Sequence, residues 1–280
     1  MKILVTGSGG MLAQDLVPIL NTRHETVALR LEDLDITDKD AVFDVVGHSS
    51  ADLLINCAAY SQVDQAESET EKAFRVNAYG VQQLALACRK FDVSLCHIST
   101  DYVFDGKANK PYQPFDPPHP LSVYGLSKRA GEAFVQSVLS RYYLIRTSSL
   151  YGKHGNNFVT TMLKLAEKGA DLKVVDDQYM SPTWTVNLAQ GISELVDTGN
   201  YGDYHLTDTT HGGISWYEFA KAVFRIKGID KDIQAVSAKD FKRPAPRPKY
   251  SVLDTGLFTL CSGYRSLKWE ESLKRFLESI

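Results

Sequence analysis

Cysteine is scarce in this chain: Cys57, Cys88, Cys96 and Cys261 are the only four in 280 residues, and no two form a C-x-x-C pair. That spacing suits neither a zinc site nor a disulfide framework. It reads as reduced, mostly buried thiols in a cytoplasmic protein. No apolar run approaches the ~20 residues that span a bilayer. The opening Met1-Lys2-Ile3-Leu4-Val5-Thr6-Gly7 breaks too soon for the apolar core of a signal peptide. Neither sign of charge prevails: 31 Lys+Arg against 34 Asp+Glu leave a net −3. Nothing global therefore draws the chain to nucleic acid or to an anionic membrane. Internal repeats are absent, and His97, His119, His154, His205 and His211 show no metal-ligand spacing. What remains is an ordinary globular composition, 44% hydrophobic and 23% charged, long enough for one large domain or one with a smaller companion.

The first half alternates strand-like and helix-like runs. Ile3–Thr6, Thr26–Leu29, Leu53–Ala59, Ser94–Ile98 and Tyr142–Ile145 read as strands, and Met11–Leu20, Lys39–Val46, Glu67–Phe91 and Gly125–Val138 as helices. Strands with little polar alternation imply a parallel sheet covered on both faces, a doubly wound α/β domain of the Rossmann type over residues 1–150. Residues 151–280 read mainly as a smaller substrate domain, with segments near 180–200 returning to the first. Helices are predicted at Phe158–Lys168, Asn187–Val196, Ser215–Ile226 and Trp269–Ser279, and short strands near Lys173–Val175 and Tyr204–Thr207. Five of the ten prolines fall in residues 111–120 and three more in 243–248, which makes both segments extended.

Three groups of residues carry chemistry. Gly7-Ser-Gly-Gly10-Met-Leu-Ala13 lies between the first strand and first helix. Gly7 suits a tight turn, Gly10 lets backbone approach a pyrophosphate, and Ala13 allows close helix–strand packing, with the helix N-terminus as the phosphate seat. Arg30 stands where the second strand ends; its guanidinium suits a 2′-phosphate, so NADPH is favoured over NADH, with Glu32 or Asp33 as the alternative ribose partner. Finally, Ser99-Thr-Asp-Tyr102 follows the fourth strand and Tyr124-Gly-Leu-Ser-Lys128 opens a helix 24 residues after Thr100. Tyr and Lys at i, i+4 share a helical face. The ammonium is expected to lower the phenol's pKa and let it exchange a proton with a carbonyl oxygen, to which Thr100 also offers its hydroxyl.

Together these residues resemble the extended short-chain dehydrogenase/reductases, and among them the dTDP-4-dehydrorhamnose reductase family. The likeness runs along nearly the whole chain through Asn56-Cys-Ala-Ala-Tyr-Ser-Gln-Val-Asp64, Ser99–Gly106, Tyr151-Gly152 with Gly155-Asn-Asn-Phe158, Asp177-Gln178 with Ser181-Pro-Thr183, and Arg247-Pro-Lys-Tyr-Ser251. The resemblance implies NAD(P)H-dependent reduction of the C4 keto group of a dTDP-4-keto-6-deoxy sugar, dTDP-4-dehydro-L-rhamnose foremost. An epimerase or dehydratase of the same fold stands as the alternative, as does a non-catalytic subunit like methionine adenosyltransferase β. By position it implies Tyr124 as proton donor, Lys128 as its electrostatic partner and ribose ligand, and Thr100 as hydroxyl partner. It implies Gly10, Met11 and Leu12 at the pyrophosphate, Asp35 and Ile36 at the adenine, and Ala59, Tyr60 and Ser61 at the ribose and nicotinamide. Thr100, Asp101, Ser149 and Asn157 would face the sugar nucleotide, and Arg247 its diphosphate, with Arg243 and Lys249 in the same basic segment. Asn77 matches the family's helix asparagine, and a backbone-bonding part suits it at least as well as a catalytic one.

Ala13 and Ser149 depart from the pattern. Ala13 replaces a glycine at a packing position, and Ser149 stands where rhamnose-forming members carry tryptophan against the sugar, which leaves the sugar's identity open. A homodimer is likewise open. Some relatives pair through Mg2+, but no acidic cluster here assigns that ion a site.

Overall fold

The computed structural model describes residues 1–280. Strand β1 (Lys2–Thr6) turns through the glycines into α1 (Met11–Leu20), and β2 (Glu25–Leu29) lies beside it in register. Helix α2 (Lys39–Ser49) begins where the Asp38 carboxylate accepts the Ala41 N–H at 3.1 Å. There follow β3 (Leu53–Asn56), α3 (Val63–Ala66), α4 (Thr70–Phe74), a π-helical turn (Arg75–Gly80), α5 (Val81–Phe91) and β4 (Ser94–Thr100). A 3-10 turn (Asp101–Val103) and the first proline-rich loop lead to α6 (Val123–Val138), capped by Ser122, and to β5 (Tyr142–Thr147). The rest is β6 (Leu150–Tyr151), α7 (Phe158–Glu167), β7 (Leu172–Val175), β8 (Tyr179–Met180), β9 (Thr183–Trp184), α8 (Thr185–Val196), β10 (Gly202–His205), β11 (Ile214–Ser215), α9 (Trp216–Lys227), β12 (Ile233–Val236), α10 (Gly256–Ser262) and α11 (Trp269–Glu278).

Six parallel strands form one sheet in the order β2-β1-β3-β4-β5-β10. Leu16, Leu20, Leu188 and Ile192 of α1 and α8 bury one face against Ile3, Val5 and Ile55. Val42, Val46, Leu84 and Val135 of α2, α5 and α6 bury the other against Leu4, Leu54 and Leu95. The sheet is thus doubly wound, as its apolar strands imply. The order reverses between β1 and β3, so a crevice opens at their carboxyl ends, the place where such sheets bind ligands. A third core, built on Phe219, Phe224, Met162, Val174 and Phe276, holds α7, β7, α9 and α11 beside that crevice.

Three elements differ from expectation. The strand predicted over Leu53–Ala59 ends at Asn56, because the Asn56 side chain accepts the Ala58 N–H at 3.1 Å and turns the chain out of the sheet. The helix predicted over Glu67–Phe91 breaks into α4, the π turn and α5, and α3 precedes it unforeseen. Asn77 sits inside the π turn, its amide spent on the Tyr60 backbone rather than exposed to solvent, and the extra residue per turn places it there. The strand expected at Tyr204–Thr207 runs two residues earlier, over Gly202–His205.

Candidate active site

Gly7 has φ +66°, and a Cβ there would lie 2.6 Å from the Ala58 nitrogen. Only glycine lets the turn after β1 pass that close to the chain leaving β3. Gly10 is the N-cap of α1 with no side-chain cap, so the helix's first N–H groups, from Met11 and Leu12 on, are free to meet an anion. Nothing lies within 4 Å of a Cβ built on Gly9, so the turn faces open space. These features fit a dinucleotide pyrophosphate. Arg30 follows β2 with its guanidinium exposed and only a 3.8 Å contact to Glu32, whereas Asp33 is spent accepting the Arg30 N–H at 2.9 Å. Arg30 is therefore free for a 2′-phosphate, and of the two acids that could meet a ribose instead, Asp33 is taken and Glu32 stays exposed. Asp35 is exposed and bonds Thr37, while Ile36 is buried against the π turn at Gly80. Ala59 and Ser61 are exposed, and Tyr60 between them is fixed by two bonds from Asn77, 2.9 Å to its N–H and 3.0 Å to its carbonyl. Asn77 is thus a backbone-holding residue.

Tyr124, near the start of α6, and Thr100, at the end of β4, meet at the same crevice. The Thr100 side chain lies beside the phenol, and its hydroxyl donates to Asp101 Oδ1 at 3.0 Å. Lys128 is almost wholly buried, and burial lowers it to about 8, partly opposed by the Glu132 carboxylate one turn on. The expected lowering of the Tyr124 pKa does not occur. The Lys128 ammonium turns into the sheet and donates to the Ile98 carbonyl at 2.7 Å, so burial dominates and pushes the phenol well above its ordinary value. Tyr124 is held as a neutral phenol. Asp101 is 2% exposed; burial lifts it to about 6 against hydrogen bonds from Ser148 and Thr100. The Tyr102 ring stands edge-on to Tyr124, centroids 5.9 Å apart at 76°.

A cleft of about 1160 Å³ opens beside these residues, between the third core and the second proline-rich segment. Phe158, Trp216 and Phe241 give it apolar walls, and Lys239, Lys242 and Arg243 give it cations. Arg247 also lines it, but its fork is taken: Nη1 and Nη2 donate to the Asp64 carboxylate at 3.0 and 2.8 Å. Lys249 packs its backbone against Gly106. Asn157 is committed to the fold as the cap of α7, its Oδ1 accepting the Thr160 N–H and its Nδ2 donating to the Gly152 carbonyl.

The family model described as "RmlD substrate binding domain" matches residues 1–280. A dTDP-4-dehydrorhamnose reductase of Aggregatibacter actinomycetemcomitans is 38% identical over 287 residues, covering 98% of this chain and 97% of that protein. The chain belongs to the dTDP-4-dehydrorhamnose reductase family. The spore coat polysaccharide biosynthesis protein SpsK of Bacillus subtilis is 40% identical over 278 residues, 99% of this chain and 97% of that one. A crystal structure of dTDP-4-dehydrorhamnose reductase from Bacillus anthracis in complex with NADP superposes with a TM-score of 0.96 at 38% identity, over 100% of this chain and 99% of that one.

Within this family's frame, Ser149 follows β5 at φ +49°, its hydroxyl 3.3 Å from that of Ser148, which in turn donates to Asp101. A non-glycine residue at positive φ marks a constrained corner beside the strand that ends at Thr100. Sequence reasoning missed Asp64 as the partner of Arg247, and the buried Glu132–Arg146 pair beneath the site, both of whose contacts are 2.9 Å. Acid and base lie 14 and 183 residues apart in these two pairs, so no local spacing announces them. Trp216 shares the helical spacing of Phe219 and Phe224, the pattern of a buried face, yet it is only partly buried and lines the cleft.

Proposed function

We propose that this chain reduces the C4 keto group of a dTDP-4-keto-6-deoxy sugar with NADPH. The observation that carries the reading is the neutral, half-buried phenol of Tyr124 beside Thr100 at the carboxyl end of the sheet, across from an uncapped helix N-terminus behind a glycine turn. The turn of residues 7–12 would hold the pyrophosphate, Arg30 the 2′-phosphate, and Ala59–Ser61 with Lys128 the nicotinamide-side ribose. When bound, the nicotinamide supplies the hydride. Tyr124 gives its proton to the sugar's C4 oxygen as that oxygen gains charge, and the neutral state imposed by burial is the one that donation requires. Thr100 hydrogen-bonds the same oxygen, and the Lys128 ammonium, still charged at neutral pH, stabilises the phenolate left behind. The nucleotide would lie in the cleft, its base between apolar walls and its diphosphate among Lys239, Lys242 and Arg243. Ser149 leaves space where a larger ring would touch the sugar, and we read it as a relaxed or altered sugar preference. Four unpaired cysteines suit a reducing cytoplasm. Oxidation of NADPH and NADH should be followed against a panel of nucleotide 4-keto-6-deoxy sugars. Turnover with a dTDP-linked 4-keto sugar supports the reading; no oxidation with any of them overturns it.

A further inference from the structure

The segment 243–248 has three prolines and hence few N–H groups with which to hold itself in place. One of the few, from buried Ala245, donates to Asp64 Oδ1 at 3.1 Å. The Arg247 fork takes both oxygens of the same carboxylate, and its Nη1 also donates to the Ala245 carbonyl at 2.9 Å. Asp64 thus makes three bonds to a strap more than 180 residues away, and no other carboxylate reaches it. The strap forms one wall of the cleft, where Arg247 shares the lining with Tyr102, the ring that stands against Tyr124. Asp64 itself lies in the first turn of α3, three residues beyond Ser61 on the cofactor side of the crevice.

We propose that Asp64 is a positioning residue for sugar-nucleotide binding. It fixes Arg247 and the proline strap before the ligand arrives, so that Lys239, Lys242 and Arg243 are gathered where a nucleoside diphosphate will sit. A bidentate carboxylate–guanidinium pair sets both the place and the plane of the arginine, which a single contact would not. A strap ordered beforehand spares the ligand the cost of ordering it. The proposal rests on the cleft being the nucleotide site, and its test separates the two ideas.

The probe is dTDP, titrated by calorimetry into the full-length protein and its variants. Asp64→Asn should bind dTDP at least about tenfold more weakly than wild type, and Asp64→Glu, which restores the charge, should recover most of that loss. In an Arg247→Ala background, Asp64→Asn should cost nothing further, because the partner it positions is gone. A merely structural carboxylate would keep its full cost in that background. Unchanged affinity in Asp64→Asn, or an additive double variant, overturns the proposal while leaving the cleft reading intact. Wild-type protein that fails to bind dTDP overturns both.

Discussion

At the scale of single residues, the chemistry turns on which charge state burial selects. Lys128 and Tyr124 share a helical face, and spacing alone argues for a phenolate. The structure sends the ammonium to the Ile98 carbonyl and leaves the phenol protonated. The residues were legible in the sequence, but the balance between desolvation and a nearby cation was not, because it depends on where the lysine's long stem points. Tyr124→Phe removes only the donated proton. Turnover should fall roughly 10²- to 10⁴-fold while NADPH affinity stays near wild type, as stopped-flow rates and fluorescence titration would show. A loss of only a few-fold would assign the proton to another group. Arg30 is a second case: it is exposed and barely paired, with a neighbouring acid already spent on its own backbone. Arg30→Asp should repel a 2′-phosphate and accept a 2′-hydroxyl, moving the ratio of kcat/KM for NADPH over NADH by about 1–3 kcal/mol. An unchanged ratio would place Arg30 outside the cofactor's reach.

Among the elements, those with strong periodicity were read to within a residue or two. Helices α1, α7 and α9 are amphipathic runs with clear ends, two of them closed by the Asn157 and Ser215 capping boxes. Elements shaped by a tertiary contact were not legible. The π turn looks like continuous helix in sequence because its cause, Asn77 reaching Tyr60 and Ser127, lies 17 and 50 residues away. The same place yields a prediction. A Cβ on Gly131 would lie 2.1 Å from the Asn77 carbonyl oxygen, so α6 rests directly on the π turn through a missing side chain. Gly131→Ala must push the two apart, at a cost of about 1–3 kcal/mol, the usual range for overpacking a close contact. Because Tyr124 rides on α6 and Asn77 holds Tyr60, activity should drop along with Tm, whereas Gly9→Ala, in open space, should leave Tm unchanged. Thermal melts of the two variants decide it, and an unshifted Tm for Gly131→Ala would mean that the helices yield freely.

For the molecule as a whole, the sheet and the third core must be held in one arrangement if crevice and cleft are to act on one ligand. Much of that tie passes through Asp208, which is fully buried. Asn187 of α8 donates to its Oδ1, the Trp184 N–H at the end of β9 to Oδ2 at 3.1 Å, and Tyr151 of β6 to Oδ2 at 3.4 Å. No pattern in the sequence marks this aspartate, since its partners come from three elements, β6, β9 and α8. Burial lifts it to about 7 despite these donors. The folded carboxyl therefore keeps its proton up to about pH 7, while the unfolded chain releases it near the ordinary value of ~3.9. Between those limits the folded state binds the extra proton, so this group's contribution is full below about pH 4 and is lost as pH rises through 7, at up to about 1.4 kcal/mol per pH unit. Asp208→Asn cannot titrate. It keeps an acceptor for the Trp184 N–H but sets an NH2 against that of Asn187, so its Tm should lie below wild type at pH 5. The gap should then narrow from pH 5 to about pH 7 and flatten toward pH 8, because only the wild type loses stability at this site and stops once its carboxyl is ionised. Asp101, raised to about 6 in both proteins, cancels from the difference. Calorimetric melts of the pair at pH 5, 6, 7 and 8 measure the gap directly, and a gap constant across the series would mean that Asp208 is ionised throughout and joins the two halves as a charge.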